Sequence, residues 1–394
     1  MRTRSRWGLA AATTGVVVAG AVVVPGVASA DPDLPPTTAE QLLADVASAQ
    51  ELPFSGTVEH TSDLGLPELP QGRGGGGGDL VGLLTGTTTL RVWSDGEQRQ
   101  RLALLGSFSE NDVVRDGTDA WVWRSDERTA VQAELPSQEQ LEAARGSAGD
   151  AGAGTPWPGA TPAEAAQRAL AALDPTTEVV LDGTTTVAGR DAYDLALRPR
   201  STTSLVGEVR VAVDAETSYP LSVQVTARGA SDPALRTAFT DLSYAVPGDD
   251  VFAFTPPDGA EVREAPSLGA AMAEGSAPEG RHGASSGWTG EGPVSSSGGG
   301  SAPEGAAPTV VGEGWDAVAV LRGAAGGLTS GAGDLGAGQA LLDAAQPVTG
   351  EFGSGRALQT ALVSVLALDD GRVLVGAVPT SVLEQAALDP AAVP

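Results

Sequence analysis

The chain has 394 residues, of which 23 are arginine or lysine and 50 are aspartate or glutamate, so its formal net charge is −27. A charge of this sign argues against binding to nucleic acid or to anionic membranes by electrostatic attraction. The sequence contains no cysteine, which excludes disulfides, thiolate metal sites and a lipid attached to cysteine. Burial of apolar side chains must therefore stabilise the fold.

The first thirty residues have the pattern of a signal peptide. Three arginines among the first six residues precede an apolar run over residues 7–24, and Ala28-Ser29-Ala30 forms a small-residue cleavage site before Asp31. Glycine and threonine interrupt the apolar run, which favours a signal sequence over a membrane anchor. The pattern predicts cleavage after residue 30 and an extracytoplasmic location, in a periplasm-like space, in the cell envelope or secreted.

A helix and a long series of strands are predicted between this signal and Pro257. The segment Thr37-Thr38-Ala39-Glu40 is typical of a capping box, and apolar residues at helical spacing follow it to Ala49. Alternating apolar and polar residues then predict strands, the clearest of which are Thr87–Trp93, Arg101–Leu105, Ala120–Arg124, Ala192–Leu197, Glu208–Val213 and Leu221–Ala227. In the last two, valines alternate with polar residues, as in an antiparallel sheet with one buried face.

Two interruptions separate groups of strands. Residues 62–86 include five consecutive glycines, Gly74 to Gly78, which favour a loop. Residues 137–173 begin with an acidic stretch and end in a second capping box, Thr161-Pro162-Ala163-Glu164. Apolar residues on one stripe then predict a helix to Leu173 that lies against the sheet.

The amino-acid composition of the C-terminal third of the chain distinguishes a linker from a small module. Residues 264–308 are rich in Gly, Ser, Pro and Ala and predict a disordered linker between a large domain, 31–263, and a small α+β module, 309–394. The elements expected in the module are a strand Trp315–Leu321, a helix Gln339–Ala345, a hairpin of Thr360–Leu368 with Arg372–Val378, and a final helix Thr380–Ala387.

Two segments match motifs of catalytic or nucleotide-binding sites, and we interpret both matches as chance. Residues 283–287 match the nucleophile-elbow pattern G-x-S-x-G beside His282, but they lie in the predicted linker. Residues 331–336 match G-x-G-x-x-G without directly following a strand. The other histidine, His60, is interpreted as a solvent-facing strand residue, so neither a metal site nor a triad is expected. We therefore expect no enzymatic activity, no cofactor and no metal.

Three segments resemble characteristic sequence segments of the LolA lipoprotein carrier family, and they occur in the same order along the chain. Residues 54–58 (FSGTV) resemble its first strand, and residues 112–123 (DVVRDGTDAWVW) resemble its Asp-Gly hairpin. Residues 252–262 (FAFTPPDGAEV) are similar to its closing Phe-x-Phe-x-Pro-Pro-x-Gly-x-x-Val. The resemblance implies an α+β fold class, a half-open antiparallel β-barrel covered by helices, to which the small α+β module is added after the linker.

The resemblance also implies a function without catalysis. A LolA-like protein, such as an outer membrane lipoprotein carrier, holds acyl chains of a lipoprotein or lipid in an apolar cavity and receives them from a membrane-bound donor. The alternative is an RseB-like regulator that senses lipids or lipoproteins and binds an anti-sigma factor. The candidate lipid-binding residues are Phe54, Val113, Trp121, Trp123, Val209, Val211, Val223, Phe239, Phe252 and Phe254. For each of them, a place in the ordinary sheet core is an equal alternative.

One feature of the family is missing. The strand before the hairpin carries a Lys-Arg-Pro segment in the family, and its arginine latches the helical lid. The corresponding stretch here is Trp93-Ser94-Asp95. The closing mechanism of the family is therefore not implied for this chain.

Overall fold

The computed structural model describes residues 33–49, 52–66, 85–105, 110–135, 161–171, 175–265, 309–322 and 344–389. The signal sequence, the glycine run, the acidic stretch and nearly all of the predicted linker lie outside the described residues. So do both enzyme-like motifs and most of the helix predicted at 339–345.

The described residues include three α-helices. They are α1 (Ala39–Ser48), α2 (Pro162–Ala171) and α3 (Thr380–Ala386). None of these described helices is both long enough and apolar enough to cross a bilayer.

Threonine hydroxyls cap the first two helices. In α1 the cap is Thr38, whose hydroxyl accepts the Gln41 N–H at 3.2 Å. The predicted box at Thr37 was therefore wrong by one residue, because Thr38 is the last residue with extended backbone before the helix. In α2 the Thr161 hydroxyl accepts the Glu164 N–H at 3.3 Å, as predicted.

Twelve strands form one large open sheet. In chain order they are β1 (Phe54–Asp63), β2 (Thr85–Ser94), β3 (Arg99–Leu105), β4 (Glu110–Asp116), β5 (Asp119–Arg124), β6 (Thr129–Glu134), β7 (Thr177–Val187), β8 (Arg190–Pro199), β9 (Val206–Asp214), β10 (Pro220–Ala227), β11 (Pro233–Ser243) and β12 (Glu261–Ala265). The spatial order is β12-β6-β5-β4-β3-β2-β1-β11-β10-β9-β8-β7, so β12 and β7 are the edges. Neighbours are antiparallel except β12 and β6, which are parallel.

The alternation in the sequence reflects the two faces of this sheet. All six strands predicted above are present, and each end lies within two residues of its expected position. Val209, Val211 and Val223 are buried together. On the other face of β9, Arg210 forms ion pairs with Asp194, Asp182 and Glu208. The period of two in the sequence is therefore the pleat of a sheet with one apolar face.

His60 corrects an interpretation made from the sequence. It lies on β1, a central strand between β2 and β11, and only 8% of its surface is exposed. Its Nδ1 is 2.8 Å from the hydroxyl oxygen of Thr237 on β11. The expectation that His60 faces solvent was wrong, because His60 lies on the same face of β1 as the buried Val58 and Ser62.

Six strands form a second, smaller sheet. They are β13 (Thr309–Val311), β14 (Val318–Arg322), β15 (Gln346–Gly350), β16 (Gly353–Gln359), β17 (Ser364–Leu368) and β18 (Arg372–Gly376). Their spatial order is β13-β14-β18-β17-β16-β15. Helix α3 packs on this sheet, and Leu366, Leu374 and Leu383 are central to a separate apolar core.

The predicted strand, hairpin and final helix are present in the small module, together with three strands that were not predicted, β13, β15 and β16. Two of the predicted strands begin later than expected. The strand expected from Trp315 begins only at Val318, because residues 314–316 form a 3₁₀ turn. The strand expected from Thr360 begins at Ser364, because residues 360–363 form a turn. The predicted fold class, an open antiparallel sheet with helices and a small α+β module, is confirmed. The domain boundaries at 263 and 309 stay a prediction.

Candidate functional site

A layer of apolar side chains lies between the helices α1 and α2 and the strands β7 to β11. We call it the helix-covered layer. Its buried members are Leu42, Ala166, Tyr193, Leu195, Leu197, Val206, Val209, Val211, Val213, Val223, Ala234 and Leu362. Each aliphatic side chain of valine or leucine size that is fully buried contributes roughly 1.5–3 kcal/mol through removal from water. The layer is therefore a major source of stability for this part of the sheet.

The cover of this layer consists of short helices with small or aliphatic side chains. Helix α1 and helix α2 have ten residues each. Partly buried Leu43 and Val46 of α1, and Ala165, Ala169 and Leu170 of α2, pack against the layer. Helices of this length are only marginally stable in isolation, and their stability depends on tertiary packing. They form a cover that is held by apolar contact with the sheet.

A polar contact fixes the chain entering α1. The Tyr193 hydroxyl on β8 donates to the Pro35 carbonyl oxygen at 2.8 Å. Tyr193 belongs to the helix-covered layer, and this hydrogen bond lies at the edge of that layer. It ties the segment before α1 directly to the floor of the layer.

The stretch aligned with the missing arginine latch ends β2 with Trp93 and Ser94 and begins the turn to β3 with Asp95. The Asp95 carboxylate accepts bonds from the backbone N–H groups of Glu97, Gln98 and Arg99, and from the Arg99 side chain at 2.7 Å. Burial would raise the pKa of Asp95, but these hydrogen bonds outweigh it and hold that pKa below its usual range. Asp95 therefore acts as a turn-forming residue.

The tryptophans of β5 meet the segment that follows β11. The Phe254 ring centroid lies 5.5 Å from that of Trp121 and 6.3 Å from that of Trp123. Phe252 is buried, and the Arg99 guanidinium lies 5.0 Å from its ring centroid. Two of the predicted lipid-binding residues, Trp121 and Trp123, thus contact a third, Phe254, and Phe252 lies in the same closing segment.

The remaining candidates belong to two other clusters. The Phe54 and Phe239 rings pack edge to face at 5.8 Å, and Tyr219 contacts both. Val113 packs with residues of β5 and β6, among them Val122 and Val131. Among the ten predicted residues, only Val209, Val211 and Val223 lie in the helix-covered layer, and a lipid contact for any of the ten stays a prediction.

Sequence reasoning missed several members of the layer. Leu195 and Leu197 lie in a strand that the alternation predicted, so the same signal identifies them. Leu42 follows from the helical spacing of α1. Leu362 carries no such signal, because it belongs to the small module and reaches the layer only through the tertiary fold.

Side chains and backbone groups join the large sheet to the small module. The Trp315 indole N–H donates to the Thr177 hydroxyl at 2.8 Å, and the Ser201 hydroxyl donates to Asp316 Oδ2 at 2.5 Å. A surface depression of about 550 Å³ lies here; its lining is Pro175, Thr176, Arg200, Ser201, Thr202, Glu313, Trp315 and Asp316. None of the ten predicted residues lines it. Within the described part of the chain, no group of three or more His, Asp or Glu side chains is placed to hold a metal ion.

Comparisons with known proteins find structural likeness only. No family model and no curated protein matches the chain. It is similar to the Pseudomonas aeruginosa MucA/MucB complex structure, at 19% identity over 89% of this chain and 97% of that one, with a TM-score of 0.41. The chain is also similar to a LolA superfamily protein from Nitrosomonas europaea, at 12% identity over 56% of this chain and 99% of that one, with a TM-score of 0.22. It is similar to the Mycobacterium tuberculosis lipoprotein LppX at 10% identity over 54% of this chain and 96% of that one, with a TM-score of 0.27.

At these identities and TM-scores the similarity assigns no function. The architecture of the chain itself is an open antiparallel sheet with two helices packed against one apolar layer. A second, small sheet is added to this architecture.

Proposed function

We propose that this chain is an exported LolA-like binding protein that holds acyl chains of a lipoprotein or lipid, as a carrier or chaperone without catalysis. The observation that carries the proposal is the helix-covered layer. Its floor is a row of valines and leucines on β8 to β10, and its cover is two short helices. An acyl chain that takes the place of cover side chains meets only apolar surface.

The energetics favour a binding role for such a layer. Each acyl methylene removed from water contributes about 0.8 kcal/mol, so a chain crossing an aqueous space needs a covered apolar site. Release needs a cover that opens at modest cost. The predicted signal sequence supports the same proposal, because a compartment outside the cytoplasm requires a carrier that works by binding alone.

Titration with a fluorescent fatty acid tests the proposal. The mature chain is mixed with anthroyloxy-labelled palmitic acid, and unlabelled palmitate is used to displace it. We expect saturable binding that palmitate reverses and that short-chain butyrate does not. Fluorescence that never saturates, or that butyrate displaces equally well, would count against an acyl-chain site.

A second candidate is an RseB-like regulator that binds an anti-sigma factor. The observation that favours it is the contact between the small module and the helix-covered layer through Leu362. A ligand in the layer would then act on a second domain, as a sensor requires. Mixing the mature chain with the extracytoplasmic segment of an anti-sigma factor encoded beside it distinguishes the two candidates: a regulator forms a complex that palmitate dissociates, whereas a carrier forms none.

A further inference from the structure

The turn between β16 and β17 is built as a rigid projection of the small module. The Thr360 hydroxyl accepts the N–H groups of Leu362 and Val363, at 3.3 and 3.0 Å, and donates to the Val363 carbonyl oxygen at 2.8 Å. The Thr360 N–H also donates to that carbonyl at 2.8 Å. One side chain therefore fixes the conformation of the whole turn.

This turn is inserted against the large sheet. The Ala361 N–H donates to the carbonyl oxygen of Leu64, just beyond β1, at 2.8 Å. Leu362 is 7% exposed and belongs to the helix-covered layer, whereas its neighbour Val363 is 37% exposed. The turn thus directs one aliphatic side chain into the layer and the next one away from it.

The small module has an apolar core of its own. Its apolar cluster is separate from the helix-covered layer and is formed by its own strands and α3. Hydrogen bonds hold it to the large sheet near the β8–β9 connection. Leu205 N–H and the Ser204 hydroxyl both donate to the Ala377 carbonyl oxygen, at 2.7 and 3.2 Å.

We infer that the turn of residues 360–363 is a built-in stopper of the helix-covered layer, and that an acyl chain enters by displacing Leu362. This inference rests on the function proposed above. Leu362 offers the layer the same aliphatic surface that an acyl chain would offer, so the two compete for one place. Ligand binding and docking of the small module then oppose each other, because each excludes the other from the layer.

A pair of neighbouring substitutions in the full mature chain tests the inference. Leu362→Ser removes the competing side chain, and Val363→Ser changes the exposed neighbour in the same turn. We expect Leu362→Ser to bind anthroyloxy-labelled palmitic acid about tenfold more tightly than the unaltered chain, and Val363→Ser to bind as the unaltered chain does.

The outcomes separate the inference from the function on which it rests. Equal or weaker binding by Leu362→Ser, with the unaltered chain binding normally, would overturn the stopper and leave the acyl-binding function standing. No binding by any of the three proteins would overturn the proposed function as well.

A cross-link provides a measurement that does not depend on the Leu362 variant folding. Ser201 and Asp316 are in hydrogen-bond contact across the two sheets, and the chain has no cysteine of its own. In the double variant Ser201→Cys/Asp316→Cys, oxidation locks the module in place. We expect the oxidised form to bind the probe at least tenfold more weakly than the same protein after reduction. Identical affinity in the two redox states would overturn the inference.

Discussion

At the scale of single residues, Asp214 shows how a charge is enclosed in the large sheet. It lies at the end of β9 with 1% of its surface exposed, and it pairs with Arg190. Its carboxylate also accepts the N–H groups of Glu216 and Thr217, at 2.9 and 3.1 Å. Burial alone would raise the pKa of Asp214, but the bonds from Arg190 and from the backbone outweigh it and hold that pKa below its usual range.

The depressed pKa of Asp214 predicts how stability depends on pH. Its contribution is fully present above the pKa of an unfolded aspartate, about 3.9, and is lost as the pH falls through the lower pKa of the folded state. We expect Asp214→Asn to lower the free energy of unfolding at pH 7 by about 2 kcal/mol, because Arg190 loses its buried carboxylate partner and keeps only its pair with the exposed Glu216. Urea unfolding at pH 7 and in acid measures the change, which should shrink in acid.

The matched control is Asp232→Asn, which alters an exposed aspartate. It should leave the free energy of unfolding within about 0.5 kcal/mol of the unaltered chain. If the Asp214→Asn deficit were the same at both pH values, the enclosed charge pair would not be its source.

The predicted lipid-binding residues show where sequence reasoning stops at this scale. Val209, Val211 and Val223 could be assigned to one buried face, because alternation along a strand is a local signal. That Trp121 is covered by Phe254 could not be known, because the partner lies more than a hundred residues further along the chain. Apolar character identifies a buried side chain but does not say what buries it.

At the scale of elements, the three described helices were predictable, and only the start of α1 was wrong, by one residue. The box at Thr161 identified α2 because capping uses only neighbouring residues. The two adjacent threonines before α1 offered alternative caps, and the fold uses Thr38. The 360–363 turn shortened a predicted strand, since Thr360 bonds to the turn backbone instead of continuing the ladder.

Helix α2 allows a test of the cover. Ala169 packs against the helix-covered layer, whereas Gln167 on the same helix is exposed. We expect Ala169→Phe to weaken binding of labelled palmitic acid about tenfold, because the added ring would occupy space beneath the helix that an acyl chain would otherwise take. Fluorescence titration measures the effect.

The control for this variant is Gln167→Phe, which adds the same ring on the solvent side. It should bind as the unaltered chain does. Equal weakening in both variants would mean that the change acts through helix propensity and not through the layer.

At the scale of the whole molecule, alternation and turn signals predicted the large open sheet and the small α+β module. They could not predict that the module reaches the helix-covered layer through Leu362, since that contact depends on tertiary docking. The same limit applies to β12, which pairs parallel with β6 across a long sequence separation. Local patterns specify elements, and long-range burial decides how they are arranged.

The predicted signal sequence determines the residue at which the mature chain begins. If cleavage follows Ala30, the protein recovered from outside the cytoplasm begins at Asp31. Intact-mass measurement of the protein purified from its native host should give a chain that lacks residues 1–30. A mass that includes those residues would show that the segment is retained.

The most direct test of acyl-chain binding is mass spectrometry of the protein as purified from its host. The chain is isolated without detergent, measured intact under native conditions, and then extracted with organic solvent. The proposed function predicts a native mass above that of the polypeptide and recovery of lipids or acylated peptides in the extract. A native mass equal to the polypeptide alone, together with an extract free of acyl groups, would contradict it.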